Sequence, residues 1–148
     1  MGSGDSITDG HDNVIIGVGA GNATTTVGEA TIVGRKACQG VMTADADGTI
    51  AIGYSALNLL TTGGSNTAVG YESQLYQTDG ANNTSLGYKA LRNADNGESL
   101  NTVIGTKACE FLNHASSDGN TAVGTQALVG GTGARANNVA MGFRPMGS

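Results

Sequence analysis

The chain has 148 residues, room for one domain with a buried core. Twenty-five glycines, one proline, no tryptophan and 4% aromatic residues deprive that core of bulk, so a thin, layered interior of small and β-branched side chains is expected. A balance of 7 basic to 12 acidic residues (net charge −5) argues against a nucleic-acid footprint or bulk attraction to anionic membrane. No Gly-x-y triplet persists and 39% of residues are apolar, which sets aside collagen and disorder. No apolar run approaches the length of a membrane span, and no basic-then-apolar signal segment opens the chain.

Residues 1–12 are polar and read as a flexible lead-in or cap. From Asn13 to about Met146 the chain rewrites one phrase. Asn66-Thr67-Ala68-Val69-Gly70-Tyr71 has close copies at 83–88, 101–106, 120–125 and 138–143, and looser ones at 13–18, 30–35 and 49–54. The anchoring glycines are Gly17, Gly34, Gly53, Gly70, Gly87, Gly105, Gly124 and Gly142, spaced by 17, 19, 17, 17, 18, 19 and 18 residues. A period near 18 marks stacked units that bury their apolar faces only against each other. The fold class expected is therefore all-β, a parallel β-solenoid or β-roll of about eight coils, roughly 38 Å long at about 4.8 Å per strand.

Within each copy the residue before the glycine is aliphatic: Ile16, Val33, Ile52, Val69, Leu86, Ile104, Val123 and Met141. Two residues earlier stand β-branched Val14, Thr31, Ile50, Thr67, Thr84, Thr102, Thr121 and Val139. Alternation of period two predicts a short strand with these two columns turned inward. The residue between them is Ile15, Ile32, Ala51, Ala68, Ser85, Val103, Ala122 or Ala140, never charged and usually small. A strand apolar on both faces needs cover on both. This middle column is accordingly expected to face outward and to form an interface between copies of the chain.

After the glycine, Ala or Ser recurs at 20, 37, 56, 73, 90, 108 and 127, often followed by Cys38, Leu57, Leu91, Cys109 or Leu128. The parity breaks at the glycine, so a corner without a Cβ is expected there, leading into a second strand. Turn dipeptides close the coils: Asp47-Gly48, Gly63-Gly64, Asp79-Gly80, Asn96-Gly97, Asp118-Gly119 and Gly130-Gly131.

Runs such as 66–71 and Thr49-Ile50-Ala51-Ile52-Gly53-Tyr54-Ser55-Ala56-Leu57 resemble the head repeats of trimeric autotransporter adhesins, and still more the related repeats of bacteriophage tail fibres and injection-system fibres. The resemblance spans Asn13 to Phe143. It implies a parallel β-roll, packed as a homotrimer, that serves as a rigid rod or as a receptor-binding tip for host attachment. The partners implied are sister chains, other fibre segments and a host cell-surface glycan or protein; the location implied is a virion tail or the extracellular cell surface. No stalk, membrane-anchor barrel or self-cleaving chaperone segment is legible, so the chain reads as part of something larger.

Binding is expected in the segments after each corner, at Tyr76, Phe111, Asn113, His114 and Arg135. No enzyme activity, cofactor or metal is expected. Gly4-Asp5-Ser6-Ile7-Thr8-Asp9-Gly10 resembles the nucleophile block of GDSL-type esterases, but the Asp-x-x-His pair that such a serine needs is missing: Phe111 stands three before His114 and Thr8 three before His11. An esterase working through Ser6 remains an alternative class, a disordered lead-in the plainer reading. Asp45-Ala46-Asp47-Gly48 fails the calcium-loop pattern because Tyr54 stands where a glutamate is required. Gly17-Val18-Gly19-Ala20-Gly21 is read as a corner, since no helix follows. Cys38 and Cys109, four repeats or about 19 Å apart, are too distant for an intrachain disulfide. Asn22 and Asn83 begin glycosylation sequons attributed to chance, and Tyr54, Tyr71 and Tyr88 form a column read as inter-coil packing rather than a sugar platform. A third class is an ice-binding solenoid using the threonine column (31, 67, 84, 102, 121), with inward packing of those threonines the competing assignment.

Overall fold

The structure is a computed structural model describing residues 2–95, 97–130 and 133–144. Asn96 and Gly131 of the turn dipeptides, Pro145 and the expected repeat boundary at Met146 lie outside the described residues.

Eight three-residue strands follow in chain order: β1 (Val14–Ile16), β2 (Thr31–Val33), β3 (Ile50–Ile52), β4 (Thr67–Val69), β5 (Thr84–Leu86), β6 (Thr102–Ile104), β7 (Thr121–Val123) and β8 (Val139–Met141). They form one parallel sheet in the order β1 to β8, each strand pairing with the next in register. The connections bring each strand onto its predecessor, so the chain winds as a parallel β-solenoid of about seven full turns. A 3-10 turn at Ala44–Ala46 is the sole helical element among the described residues. The repeat period and the eight strand positions agree with the sequence reading.

The strand faces are the reverse of the expectation. Ile32, Ala51, Ala68, Ser85, Val103, Ala122 and Ala140, with Ile15 partly so, are covered by their own coil. The flanking columns point outward: Val14, Ile16, Ile52, Leu86, Val139 and Met141 are exposed. The middle column therefore cannot be the intermolecular surface, because beyond Ile15 almost no solvent-facing area is left on it. The physical reason lies across the coil. The fourth residue after each glycine, buried at Cys38, Leu57, Gln74, Leu91, Cys109 and Leu128, turns inward and fills the space opposite the middle column. Only small or matched partners fit there.

The segment after the glycine is not a second strand either. Its second and fourth residues have positive φ in every complete turn, for example Lys36 (61°) with Cys38 (45°) and Glu72 (53°) with Gln74 (50°). The third residue donates its N–H back to the glycine carbonyl, as in Ala37 to Gly34 at 3.2 Å, which with the positive φ at the residue before it is the signature of a type II turn. The alternating handedness turns successive carbonyls up and down the axis. Cys38 N–H thus bonds Ala56 O in the next coil at 3.0 Å, while Lys36 N–H bonds Val18 O in the previous one at 3.1 Å. Stacking is preserved without extended backbone.

The corner glycine behaves as anticipated. A Cβ on Gly17, Gly34, Gly53, Gly70, Gly87, Gly105 or Gly124 would drive into the carbonyl of the next corner glycine. Residues 2–12 lie on the first coil: Gly4 N–H bonds Ala20 O and Thr8 N–H bonds Thr25 O, both at 2.9 Å. Ser6 is exposed within this docked segment.

Candidate functional site

The outward strand face is the feature that distinguishes this molecule from an ordinary solvated domain. Three columns build it: the β-branched column, the aliphatic column, and the residues after the glycines (Val18, Arg35, Tyr54, Tyr71, Tyr88, Thr106, Thr125, Phe143). Of these 24 positions, eight strands with three each, only Arg35 carries a charge. Exposure is greatest at β8, where Val139, Met141 and Phe143 reach 65%, 69% and 74%. Seven strand spacings make the face about 34 Å long, and four residue steps about 13 Å wide, on the order of 450 Å² in projection. Sixteen of the 24 positions are aliphatic or aromatic, seven are threonine and one is Arg35. The aliphatic column runs unbroken from β1 to β8, and an apolar stripe on such a face is a candidate contact surface.

One margin of the face is aromatic and charged. The rings of Tyr54, Tyr71 and Tyr88 stack at 5.1 and 5.4 Å between centroids, 13° and 17° from parallel. Arg35 lies 5.8 Å from the Tyr54 ring centre and Lys89 5.1 Å from that of Tyr88. Sugar stacking needs a free ring face, and neighbouring rings or cations take these faces, so the column is packing between coils. Beside it, Glu72 Oε2 accepts from Arg92 Nε at 2.8 Å and sits 3.7 Å from Lys89 Nζ. Partial burial pushes the Glu72 carboxyl up, but the Arg92 hydrogen bond and charge outweigh it and hold the group below its ordinary range.

A buried polar column backs the sheet, four residues before each glycine. Asn66, Asn83, Asn101 and Asn120 are buried. Each side-chain oxygen accepts the backbone N–H of the equivalent residue one coil on, for instance Asn83 N–H to Asn66 Oδ1 at 2.9 Å and Asn101 N–H to Asn83 Oδ1 at 3.0 Å. The amide nitrogens reach loop carbonyls, as Asn66 Nδ2 does to Gly63 O (2.8 Å) and Gly80 O (2.7 Å). This ladder ties strand entry to loop in every coil that carries it. It was missed from sequence, although an asparagine opens most copies of the repeat.

The five residues singled out after the corners do not converge. Tyr76 and Phe111 are exposed and hold the same place in coils two layers apart. Arg92 covers the Tyr76 ring at 4.9 Å. The backbone of His114 donates to Glu98 Oε1 at 2.6 Å, and the backbone N–H of Arg135 to Ser117 Oγ at 3.1 Å. Asn113 is exposed. Ser6 has no hydrogen bond to either histidine: His11 Nδ1 meets Asp12 Oδ2 at 3.3 Å, and His114 Nδ1 accepts from Ser116 N–H at 3.2 Å. No group of three or more metal-ligating side chains occurs among the described residues. Cys38 and Cys109 are both free and buried, and burial pushes the Cys109 thiol up to about 12. Asn83, the second sequon asparagine, is held inside the ladder and closed to modification once folded. Asp45 to Gly48 is a turn, in which Asp47 Oδ1 accepts from Gly28 N–H at 2.6 Å.

The fold and this surface define a class: a parallel β-solenoid with one outward sheet face that is almost free of charge. Comparison with family models, curated proteins and solved structures finds no match to the chain.

Proposed function

We propose that the protein is a non-enzymatic structural and adhesive module of a homotrimeric fibre, of the kind its repeats resemble, with three outward strand faces packed about a common axis. The observation that carries this reading is the nearly uncharged outward face spanning β1 to β8, with an unbroken aliphatic column along its length. Water against such a surface is costly at about 25 cal/mol per Å², and identical copies offer identical cover at every level. The interface residues on this reading are Ile16, Ile52, Leu86 and Ile104 with their neighbours, in place of the middle column. Three copies would present the post-corner segments in triplicate, so weak contacts of Tyr76, Phe111, Asn113, His114 or Arg135 with a cell-surface glycan or protein would gain avidity. Glycan-array binding of the purified rod, lost on changing these residues, tests that part.

The assembly itself is tested by light scattering. The native chain is expected at three times its 14.7 kDa mass. Ile52→Glu with Ile104→Glu places charges on the face and is expected to give monomers with an unchanged circular-dichroism spectrum. A native monomer, or a double variant that stays trimeric, overturns the reading.

One observation favours a second function. Thr67, Thr84, Thr102 and Thr121 stand on the outward face and not in the core, in register on successive strands. A regular threonine array on a sheet is the surface an ice binder needs. The two readings exclude each other, because a trimer covers the array. Thermal hysteresis from a monomer, abolished by Thr84→Tyr with Thr102→Tyr, would decide for ice.

A further inference from the structure

We propose that the contact between copies extends past the outward strand face onto two oppositely charged margins, the basic margin of one chain seated on the acidic margin of the next. This contact rests on the lateral assembly proposed above and adds which edge of each sheet meets its neighbour. The charges are sorted about the strands. Arg35, Lys36, Lys89, Arg92, Lys107 and Arg144, six of the seven basic residues, follow a corner glycine by five positions or fewer. Of the 12 acidic residues only Glu72 and Glu110 do so. The segments leaving the sheet thus carry +4 (six less two) and the rest of the chain −9 (one less ten), together the net −5. Along the edge where strands begin, Asp12 and Glu29 are exposed, with Asp47 and Asp118 one position further out. Along the edge where strands end, Lys36, Lys89 and Lys107 hold one column.

Glu29 is the most telling member. Its φ is 56°, a conformation that the equivalent place gives to Gly48, Ser65, Asn82, Gly119 and Asn137 in other coils. A charged side chain is uncommon there, and among the described residues its carboxylate forms no ion pair. At the other end of β2, Arg35 and Lys36 are also in no ion pair, whereas Lys89 and Arg92 share Glu72 and Lys107 has Glu110. Rotation about an axis parallel to the rod brings the edge where strands end on one copy to the edge where they begin on the next. Opposite charges then meet. A copy turned end over end would set acid on acid and base on base. With copies level, Lys36 and the neighbour's Glu29 both flank β2 and so share one height. Lys107 beside β6 lies one strand spacing, about 4.8 Å, from the level of Asp118 beside β7. Exposed pairs contribute little to affinity but much to orientation and association rate. The apolar columns hold the copies together, and the margins set which way they point.

Sedimentation equilibrium of the full chain tests this, at about 0.02 M and about 0.5 M salt, which bracket weak and strong screening. The native association constant is expected to fall at least tenfold between the two. Lys36→Glu and Glu29→Lys each place like charges at every contact of the assembly. Each is expected to weaken association at low salt at least tenfold, with circular dichroism unchanged. The chain carrying both substitutions restores an opposite pair and should return to within about threefold of native, a rescue that a merely structural role for either residue would not give. Ile52→Glu with Ile104→Glu should stay monomeric at either salt. A native chain that is monomeric throughout overturns this contact and the trimer together. A native trimer whose single variants associate like the native chain, or whose double variant stays as weak as the singles, overturns the charged contact and leaves the apolar interface standing.

Discussion

Ile15 lies against Gly21, where an added Cβ would come within 3.2 Å of the isoleucine Cδ1. The same trade runs along the rod: Ile32 with Cys38, Ala51 with Leu57, Ser85 with Leu91, Val103 with Cys109 and Ala122 with Leu128. A large middle-column residue is matched by a small one six positions later, and the reverse. Close-packed interiors tolerate little excess volume. Cys38→Leu is therefore expected to cost about 1–3 kcal/mol by overpacking against Ile32. Ile32→Ala in the same chain should recover most of that loss, measured by denaturant unfolding of both single variants and the double. Additive losses would mean that the two columns do not share one space. This compensation was legible in the sequence and would have fixed the strand faces. Within a single strand, an aliphatic column beside a small one points the other way. Period, corner glycines and strand positions were readable because a stacked coil forbids a Cβ at one recurring place. The alternating positive-φ segment was not, since Lys36, Glu72 and Leu57 carry no local preference for it.

Among the elements, the corner and the asparagine ladder decide whether coils can stack at the sheet spacing. Gly70→Ala meets the Gly87 carbonyl as well as a φ of 140°, so a loss above about 2 kcal/mol is expected. Gly142→Ala carries the backbone strain alone and should cost less than half as much, a contrast that thermal melts of the two variants will show. The ladder is broken at Ala30 and Thr49. Thr49 Oγ1 is buried without a partner, and the N–H of buried Asn66 finds no acceptor among the described residues. Thr49→Asn has nearly the same volume and supplies the missing acceptor. A gain of about 1 kcal/mol, or a rise of about 3 °C in Tm, is expected. A fall in Tm would show that the loop at this coil cannot receive the amide.

Across the whole molecule the core is not continuous. One apolar cluster runs from Ala20 to Ala68 and a second from Ala90 to Ala140. Between them lie buried Ser73, Gln74, Gln77 and Ser85. Ser73 Oγ and Ser85 Oγ are 2.6 Å apart, and Gln74 Nε2 donates to Ser85 Oγ at 2.7 Å, but the side-chain oxygens of Gln74 and Gln77 have no partner. In a stack held by nearest-neighbour contacts, the weakest layer sets where the rod comes apart. Native-state hydrogen exchange should therefore reveal the two halves opening separately around β4 and β5. Leucine fills the place of Gln74 in the coils of Leu57, Leu91 and Leu128, at nearly the same positive φ. Gln74→Leu leaves the Ser73–Ser85 pair intact and removes a buried acceptor whose isolation costs about 1–3 kcal/mol. The variant is expected to unfold later and in one step. If it unfolds earlier, the hydrogen bonds from Gln74 Nε2 outweigh the lone oxygen, and the polar layer is a clasp between the halves, with the weak point of the rod elsewhere.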